Sequence, residues 1–164
     1  GEVVEEEIET EVNLPVKAII PNDYIEDPHQ RLSIYRRISS IKDEADVSEL
    51  AGELEDRYGS IPRQTGNLFE IVLLRNLAAC LCVKVLGFSG GELALTFEPG
   101  ARKNWENIIN KILEMVKKEP KQFRLTPGHK LYVKCPSKGK KESPLDEKGL
   151  MEFSKDFLSR LGAD

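Results

Sequence analysis

Lys84-Val85-Leu86-Gly87-Phe88-Ser89-Gly90-Gly91-Glu92-Leu93-Ala94-Leu95-Thr96-Phe97 is the stretch that decides the fold class. Two apolar runs flank Ser89-Gly90-Gly91, which has the turn chemistry of an antiparallel hairpin. Gly90-Gly91 is not a phosphate loop. It lacks the further glycine spacing and the lysine-serine or lysine-threonine pair of a nucleotide loop, and it joins strand to strand rather than strand to helix.

N-terminal to this hairpin the pattern is helical. A helix ends at about Leu81, with Leu68, Ile71, Val72, Leu74, Leu77, Ala78 and Leu81 covering most of its circumference, as a central core helix requires. Arg75 and Asn76 fall on its narrower polar side. Before the turn Gly59-Ser60-Ile61-Pro62, a second helix runs from Asp43 or Asp46 to Tyr58, with Gly59 as its stop. At about 100° per residue, Val47, Leu50, Ala51, Leu54 and Tyr58 gather on one side, and Asp46, Glu49, Glu53 and Asp56 on another. Another helix begins at Asp27-Pro28, an N-cap acid before a proline whose missing N–H is harmless at the first position, and runs to about Ile41. Leu32, Tyr35 and Ile38 are its expected buried stripe, with Arg31, Arg36 and Arg37 off that stripe and free to meet solvent or acids. Upstream, Val16, Ala18 and Ile20 alternate with Lys17 and Ile19 between Pro15 and Pro21, as in an edge strand.

C-terminal to the hairpin, a helix over 101–118 is expected to bury Trp105, Ile108, Ile109, Ile112, Leu113 and Val116. Strands over 122–126 and 130–135 flank the turn Pro127-Gly128, with His129 at a strand start. A basic loop over 137–143 carries Lys138, Lys140 and Lys141, and a last helix over 145–161 offers Leu150, Phe153, Phe157, Leu158 and Leu161 for docking. The chain is therefore expected to be α+β: a helical N-terminal part, then a small, mainly antiparallel sheet packed with helices.

The composition fits a folded, well-solvated protein, since 40% of the 164 residues are hydrophobic and 32% charged. The most apolar stretch, residues 68–86, is broken by Glu70, Arg75, Asn76 and Lys84, short of the roughly 20 uncharged residues a bilayer requires. The acidic start, with Glu2, Glu5, Glu6, Glu7 and Glu9, is unlike a signal peptide, so a cytoplasmic setting without membrane is expected. Cys80, Cys82 and Cys135, with only His29 and His129 to assist, have poor zinc spacing, and no cofactor or metal is expected. Buried or half-buried thiols in a reducing compartment account for all three cysteines. His29, in a first helical turn, has no identifiable carboxylate or nucleophile partner. No catalytic constellation converges in the sequence, which points to an interaction module rather than an enzyme.

Charge is divided unevenly. Residues 1–60 hold 16 acidic and 6 basic side chains, and residues 61–164 hold 12 acidic and 18 basic, which is −10 against +6. A nucleic-acid-binding accessory module using that basic half is the alternative reading, with strongly salt-dependent affinity as its signature. The acidic stripe is the sharper feature. Such stripes are more often solvated faces, yet Asp46, Glu49, Glu53 and Asp56 have no basic residue interleaved and repel one another. Asp56 also lies where the helix dipole disfavours an anion, so a cation brought by a partner would relieve it.

Three motifs carry a family resemblance: Asn13-Leu14-Pro15-Val16-Lys17-Ala18-Ile19-Ile20-Pro21-Asn22-Asp23-Tyr24-Ile25, then Arg31-Leu32-Ser33-Ile34-Tyr35-Arg36-Arg37-Ile38, then Glu53-Leu54-Glu55-Asp56-Arg57-Tyr58-Gly59-Ser60-Ile61-Pro62. In this order and spacing they resemble the C-terminal domain of bacterial transcription-repair coupling factors. The resemblance implies that residues 1–12 are a linker from a preceding motor region and that 13–164 form a single C-terminal regulatory domain, expected to be monomeric in isolation. The parent protein would be an ATP-driven DNA translocase that acts on stalled RNA polymerase and recruits UvrA. This domain would pack on the parent's own UvrB-homology module, mask the UvrA-binding surface and restrain the motor until polymerase is engaged. Glu53 and Asp56, with Glu49 nearby, are then expected to meet arginines on that module. Arg57 either joins the interface or makes a local pair that fixes the turn.

Overall fold

The computed structural model describes residues 9–136 and 145–163. The expected basic loop with Lys138, Lys140 and Lys141 falls outside the described residues. In chain order the elements are β1 (Glu11–Asn13), α1 (Pro28–Ser39), α2 (Glu44–Tyr58), α3 (Arg63–Cys80), β2 (Val83–Ser89), β3 (Glu92–Phe97), α4 (Trp105–Lys118), β4 (Phe123–Thr126), β5 (Lys130–Lys134) and α5 (Glu147–Gly162). The fold is α+β with a mostly antiparallel five-stranded sheet. The chain divides into two compact units, Val16–Leu74 and Gly1–Pro15 with Arg75–Asp164.

The helical unit, Val16–Leu74, starts with a segment whose strand-like alternation is not used in a ladder. No strand forms over 16–20, because its polar backbone groups find other partners. The Ile19 amide donates to the Gln64 carbonyl at 3.2 Å. The Thr65 hydroxyl donates to the Ile19 carbonyl, the Asn67 side-chain amide to the Lys17 carbonyl, and the Ile20 amide to the Tyr35 hydroxyl. Those three side chains take the place of a neighbouring strand.

Helix α1 is capped as expected, the Asp27 carboxylate accepting from the His29 amide at 2.8 Å. Its buried face is corrected. Ile34 and Ile38 are buried and Tyr35 is half-buried, whereas Leu32 is 49% exposed. Six helical steps place Leu32 about 120° from Ile38, so the two cannot share a face. Ile34 and Ile38, four apart, form the i, i+4 row that meets the core of Ile20, Ile25, Ile41, Leu50, Leu54, Phe69 and Val72.

In the sheet unit, the strand order is β1-β2-β3-β5-β4, with β1 parallel to β2 and every other pairing antiparallel. Gly90 and Gly91 both have positive φ, 60° and 78°, as a tight two-residue hairpin demands. Alternate strand residues point to one buried side: Leu93, Leu95 and Phe97 from β3, Leu131 and Val133 from β5, and Phe123 from β4. Helices α4 and α5 bring Ile108, Ile112, Leu150, Phe157, Leu158 and Leu161 to the core, with Phe123 stacked on Phe157 at 5.9 Å.

Three further expectations change here. Leu113 is 50% exposed and Met115 is buried in its place, because the stripe through Ile108 and Ile112 continues at Met115 and leaves Leu113 to one side. His129 belongs to the Pro127-Gly128 turn rather than to β5: its φ is 58°, its carbonyl accepts from the Phe97 amide, and its ring meets Trp105 edge-on at 6.0 Å. Among the cysteines, Cys82 is buried and Cys135 half-buried, but Cys80, at the end of α3, is exposed. Burial pushes the Cys135 thiol above its ordinary value, which makes it a poorer nucleophile at neutral pH. No helix among the described residues is long and apolar enough to cross a membrane.

Candidate functional site

Helix α2 is built to present one polar face. Asp43 is its N-cap and accepts from the Asp46 amide at 2.9 Å, while the Asp46 carboxylate accepts from the Lys42 amide at 2.9 Å. This reciprocal arrangement is a capping box shifted by one residue, and it assigns Asp46 to the helix start rather than to a partner. Leu50 and Leu54 anchor the opposite side in the core.

Glu53 is paired within the chain. Arg37 of α1 grips it with both fork nitrogens, one terminal nitrogen on Oε1 at 2.8 Å and the other on Oε2 at 2.6 Å. The side chains keep 43% and 39% of their exposure, so the pair is solvated. The Arg37 hydrogen bonds hold the Glu53 carboxyl below its ordinary value, with a smaller contribution from the Arg57 charge. The Glu53 hydrogen bond in turn raises Arg37, with the charges of Glu53 and Glu49 adding to it. A bidentate fork fixes the orientation of both side chains as well as their separation. Beside it lies a depression of about 240 Å³ lined by Arg37, Ser40, Ile41, Asp46, Glu49 and Leu50.

Glu49, Asp56 and Arg57 are the other residues expected at the site. Among the described residues neither Glu49 nor Asp56 has an ion-pair partner, and both are exposed. The Arg57 guanidinium sits over the ring of its neighbour Tyr58, 5.0 Å from the centroid, rather than in an ion pair. Of the four acids in the stripe, Asp46 caps and Glu53 is bridged, so Glu49 and Asp56 remain as the unneutralised carboxylates flanking the pair.

The last turn of α2 is held by Tyr58, which the periodicity placed on the core side, and by Tyr24, which no periodicity singled out. Tyr24 donates to the Gly59 carbonyl at 2.9 Å and lies 3.4 Å from that of Leu54, and its ring meets Tyr58 edge-on at 5.8 Å. Burial, with the nearby Glu55 and Tyr58, raises the Tyr24 hydroxyl above its ordinary value, so it stays a donor. Tyr58 donates to Gln30 Oε1 at 3.0 Å. Gly59 itself adopts φ 88° and ψ −166°, a region open in practice only to glycine. The three sequence motifs meet here: Tyr24 from the first, Arg37 from the second, and Glu53 to Gly59 from the third.

Fold and site together define a two-unit α+β domain whose candidate site is an ion-paired helix surface. Among its described residues no three His, Cys, Asp or Glu side chains group to hold a metal. The model of the TRCF domain matches residues 14–108, and the chain belongs to that family, the transcription-repair-coupling factors. It is 33% identical over 136 residues to the transcription-repair-coupling factor of Myxococcus xanthus, covering 83% of this chain and 11% of that protein. To that of Escherichia coli K12 it is 36% identical over 117 residues, 71% of this chain and 10% of the relative. With that of Haemophilus influenzae it shares 33% over 158 residues, 94% and 13% respectively. The chain thus spans about a tenth of the length of these relatives. A crystal structure of the C-terminal domain of a transcription-repair coupling factor shares the fold, with a TM-score of 0.68 over 94% of both chains at 22% identity.

Proposed function

We propose that this chain is the regulatory protein-interaction domain of a transcription-repair-coupling factor and that the acidic face of α2 is its docking surface. Family membership supports the setting. The observation that carries the surface is the pair of unneutralised carboxylates, Glu49 and Asp56, on either side of the Arg37–Glu53 bridge. Asp56 lies in the last turn of α2, where the dipole disfavours an anion, and the Arg57 guanidinium leans over the Tyr58 ring rather than pairing with it. Two turns of α2 hold the two carboxylates about 10 Å apart, so a partner that brings one cation to each satisfies both.

The partner in this reading is the UvrB-homology module of the same parent protein, through its arginines. Docking masks the surface that binds UvrA and restrains the ATP-driven DNA translocase, and engagement of RNA polymerase releases it. Such a clamp has to be held weakly, because a competing ligand shifts two states only by its differential affinity for them. Solvated charge pairs meet that requirement better than an apolar interface would. The domain contributes binding, and the catalytic motor lies elsewhere in the parent.

The test is a titration of this chain with the separately purified UvrB-homology module, alongside Glu53→Ala, Asp56→Ala and Glu49→Ala. Association weakened by each substitution and by added salt is the expected result. Binding that no substitution changes sinks the assignment of α2. Because closure within one chain benefits from high effective concentration, a weak association in trans is paired with a measurement of repression in the intact protein.

A further inference from the structure

Arg37 and Glu53 come from different helices and lie 16 residues apart in sequence, yet form an ion pair of 2.6 Å, against 3.1 Å for Arg124 and Glu92. Neither side chain is needed to fill the core, since both remain about two-fifths exposed. What Arg37 presents to Glu53 is the same planar fork that an arginine of a docking module would present. Both oxygens of Glu53 are in use, and a second guanidinium brought to the same carboxylate meets the positive charge of Arg37 first. Glu49 offers an alternative. It stands one helical turn before Glu53 on α2, neighbouring side chains on the same face, and it lines the same depression as Arg37. The depression leaves room for a long, exposed side chain to swing.

We propose that Arg37 is an internal competitor of the docked module's guanidinium: it holds Glu53 while the domain is undocked, and on closure yields Glu53 to the incoming arginine and moves one turn to Glu49. This rests on the docking reading given above and adds its regulation. Closure then breaks the bidentate Arg37–Glu53 pair and leaves Arg37 with Glu49, whose charge acts on it less than that of Glu53 does, so the gain from the incoming arginine is partly offset and the closed state is weaker than the charge count implies. Asp56, which has no such competitor, supplies the uncompensated part of the attraction. Arg37 thereby sets how easily the clamp opens without touching UvrA.

Opposite signs test this in the intact parent protein. Capture of UvrA is measured at the UvrA concentration that half-saturates the unaltered protein, so that change in either direction is readable, for Arg37→Gln, Glu53→Gln and the double variant. Removing the competitor is expected to tighten closure and lower UvrA affinity by about two- to fivefold, the range of an exposed ion pair. Glu53→Gln is expected to raise UvrA affinity, and the double variant to behave as Glu53→Gln alone. Arg37→Lys, which keeps the charge but loses the fork, falls between Arg37→Gln and the unaltered protein. A merely structural pair moves both single variants in the same direction, toward opening. If Glu53→Gln raises UvrA affinity while Arg37→Gln leaves it unchanged or raises it, the competitor role is overturned and the docking reading stands. If Glu53→Gln has no effect, both fall.

Discussion

The helical unit, Val16–Leu74, and the sheet unit, Gly1–Pro15 with Arg75–Asp164, solve the same problem with different chemistry. In the sheet unit the backbone satisfies itself through strand ladders, and large apolar side chains fill the space against the helices: Leu93, Leu95 and Leu131 are fully buried. In the helical unit the irregular segment before α1 has no ladder, and side chains do that work: Tyr35 for Ile20, Thr65 for Ile19, Asn67 for Lys17, Arg31 for the Ile25 and Glu26 carbonyls, and Tyr24 for Gly59. A ladder accepts many sequences of the right alternation, whereas a side-chain clamp demands one residue at one position. The helical unit accordingly contains nearly all of the three motifs, and the sheet unit is readable only as a pattern.

Substitutions should expose that difference, beginning with the largest effect. Leu95→Ala or Leu131→Ala in the sheet unit, and Leu54→Ala in the helical unit, are each expected to destabilise the domain by about 2–5 kcal/mol in denaturant unfolding. Loss of a fully buried leucine therefore does not distinguish the units. Clamps do. Gly59→Ala forces a side chain into the φ 88° conformation and is expected to cost about 1–3 kcal/mol, even though its Cβ would meet open space. Tyr24→Phe removes the hydroxyl that holds the Gly59 carbonyl and is expected to cost about 0.5–1.5 kcal/mol by the same measurement. Gly52→Ala has the opposite sign: Gly52 lies inside α2 with nothing within 4 Å of a Cβ, so about 0.5–1 kcal/mol of stabilisation is expected.

The smallest effect concerns pH. Glu53 is held below the ordinary glutamate value when folded, so its unfolded form takes up a proton first as pH falls. The contribution of the Arg37 pair is complete above the unfolded value and is lost as pH drops through the folded value. Unfolding curves of the unaltered protein and Glu53→Gln should therefore converge in the acid range and differ, slightly, at neutral pH. Divergence that grows on acidification contradicts the pairing.

Periodicity made most of this fold legible. Asp27-Pro28 marks the start of α1 and Gly59 the end of α2, and Ser89-Gly90-Gly91 and Pro127-Gly128 mark their turns, because those are local signals. Strand β1 was not legible: three residues, Glu11–Asn13, carry no alternation long enough to read, and their parallel pairing with β2 joins positions more than 70 residues apart. The faces of α1 and α4 were legible only to within one row, which is why Leu32 and Leu113 emerge exposed. At the candidate site, helical spacing placed Glu49, Glu53 and Asp56 on one side of α2. The Arg37 bridge and the capping role of Asp46 depend on how α1 and the preceding turn approach α2, and no spacing within α2 encodes that approach.

The most direct measurement of the proposed docking surface is a chemical-shift titration of the isotopically labelled chain with the UvrB-homology module, read residue by residue across both units. The expected result is a set of perturbations concentrated on Glu49, Glu53, Asp56 and Arg57, with Arg37 moving in step. Perturbations confined to the sheet unit, around Arg124, Lys130 and Lys134, with α2 unmoved, would contradict it.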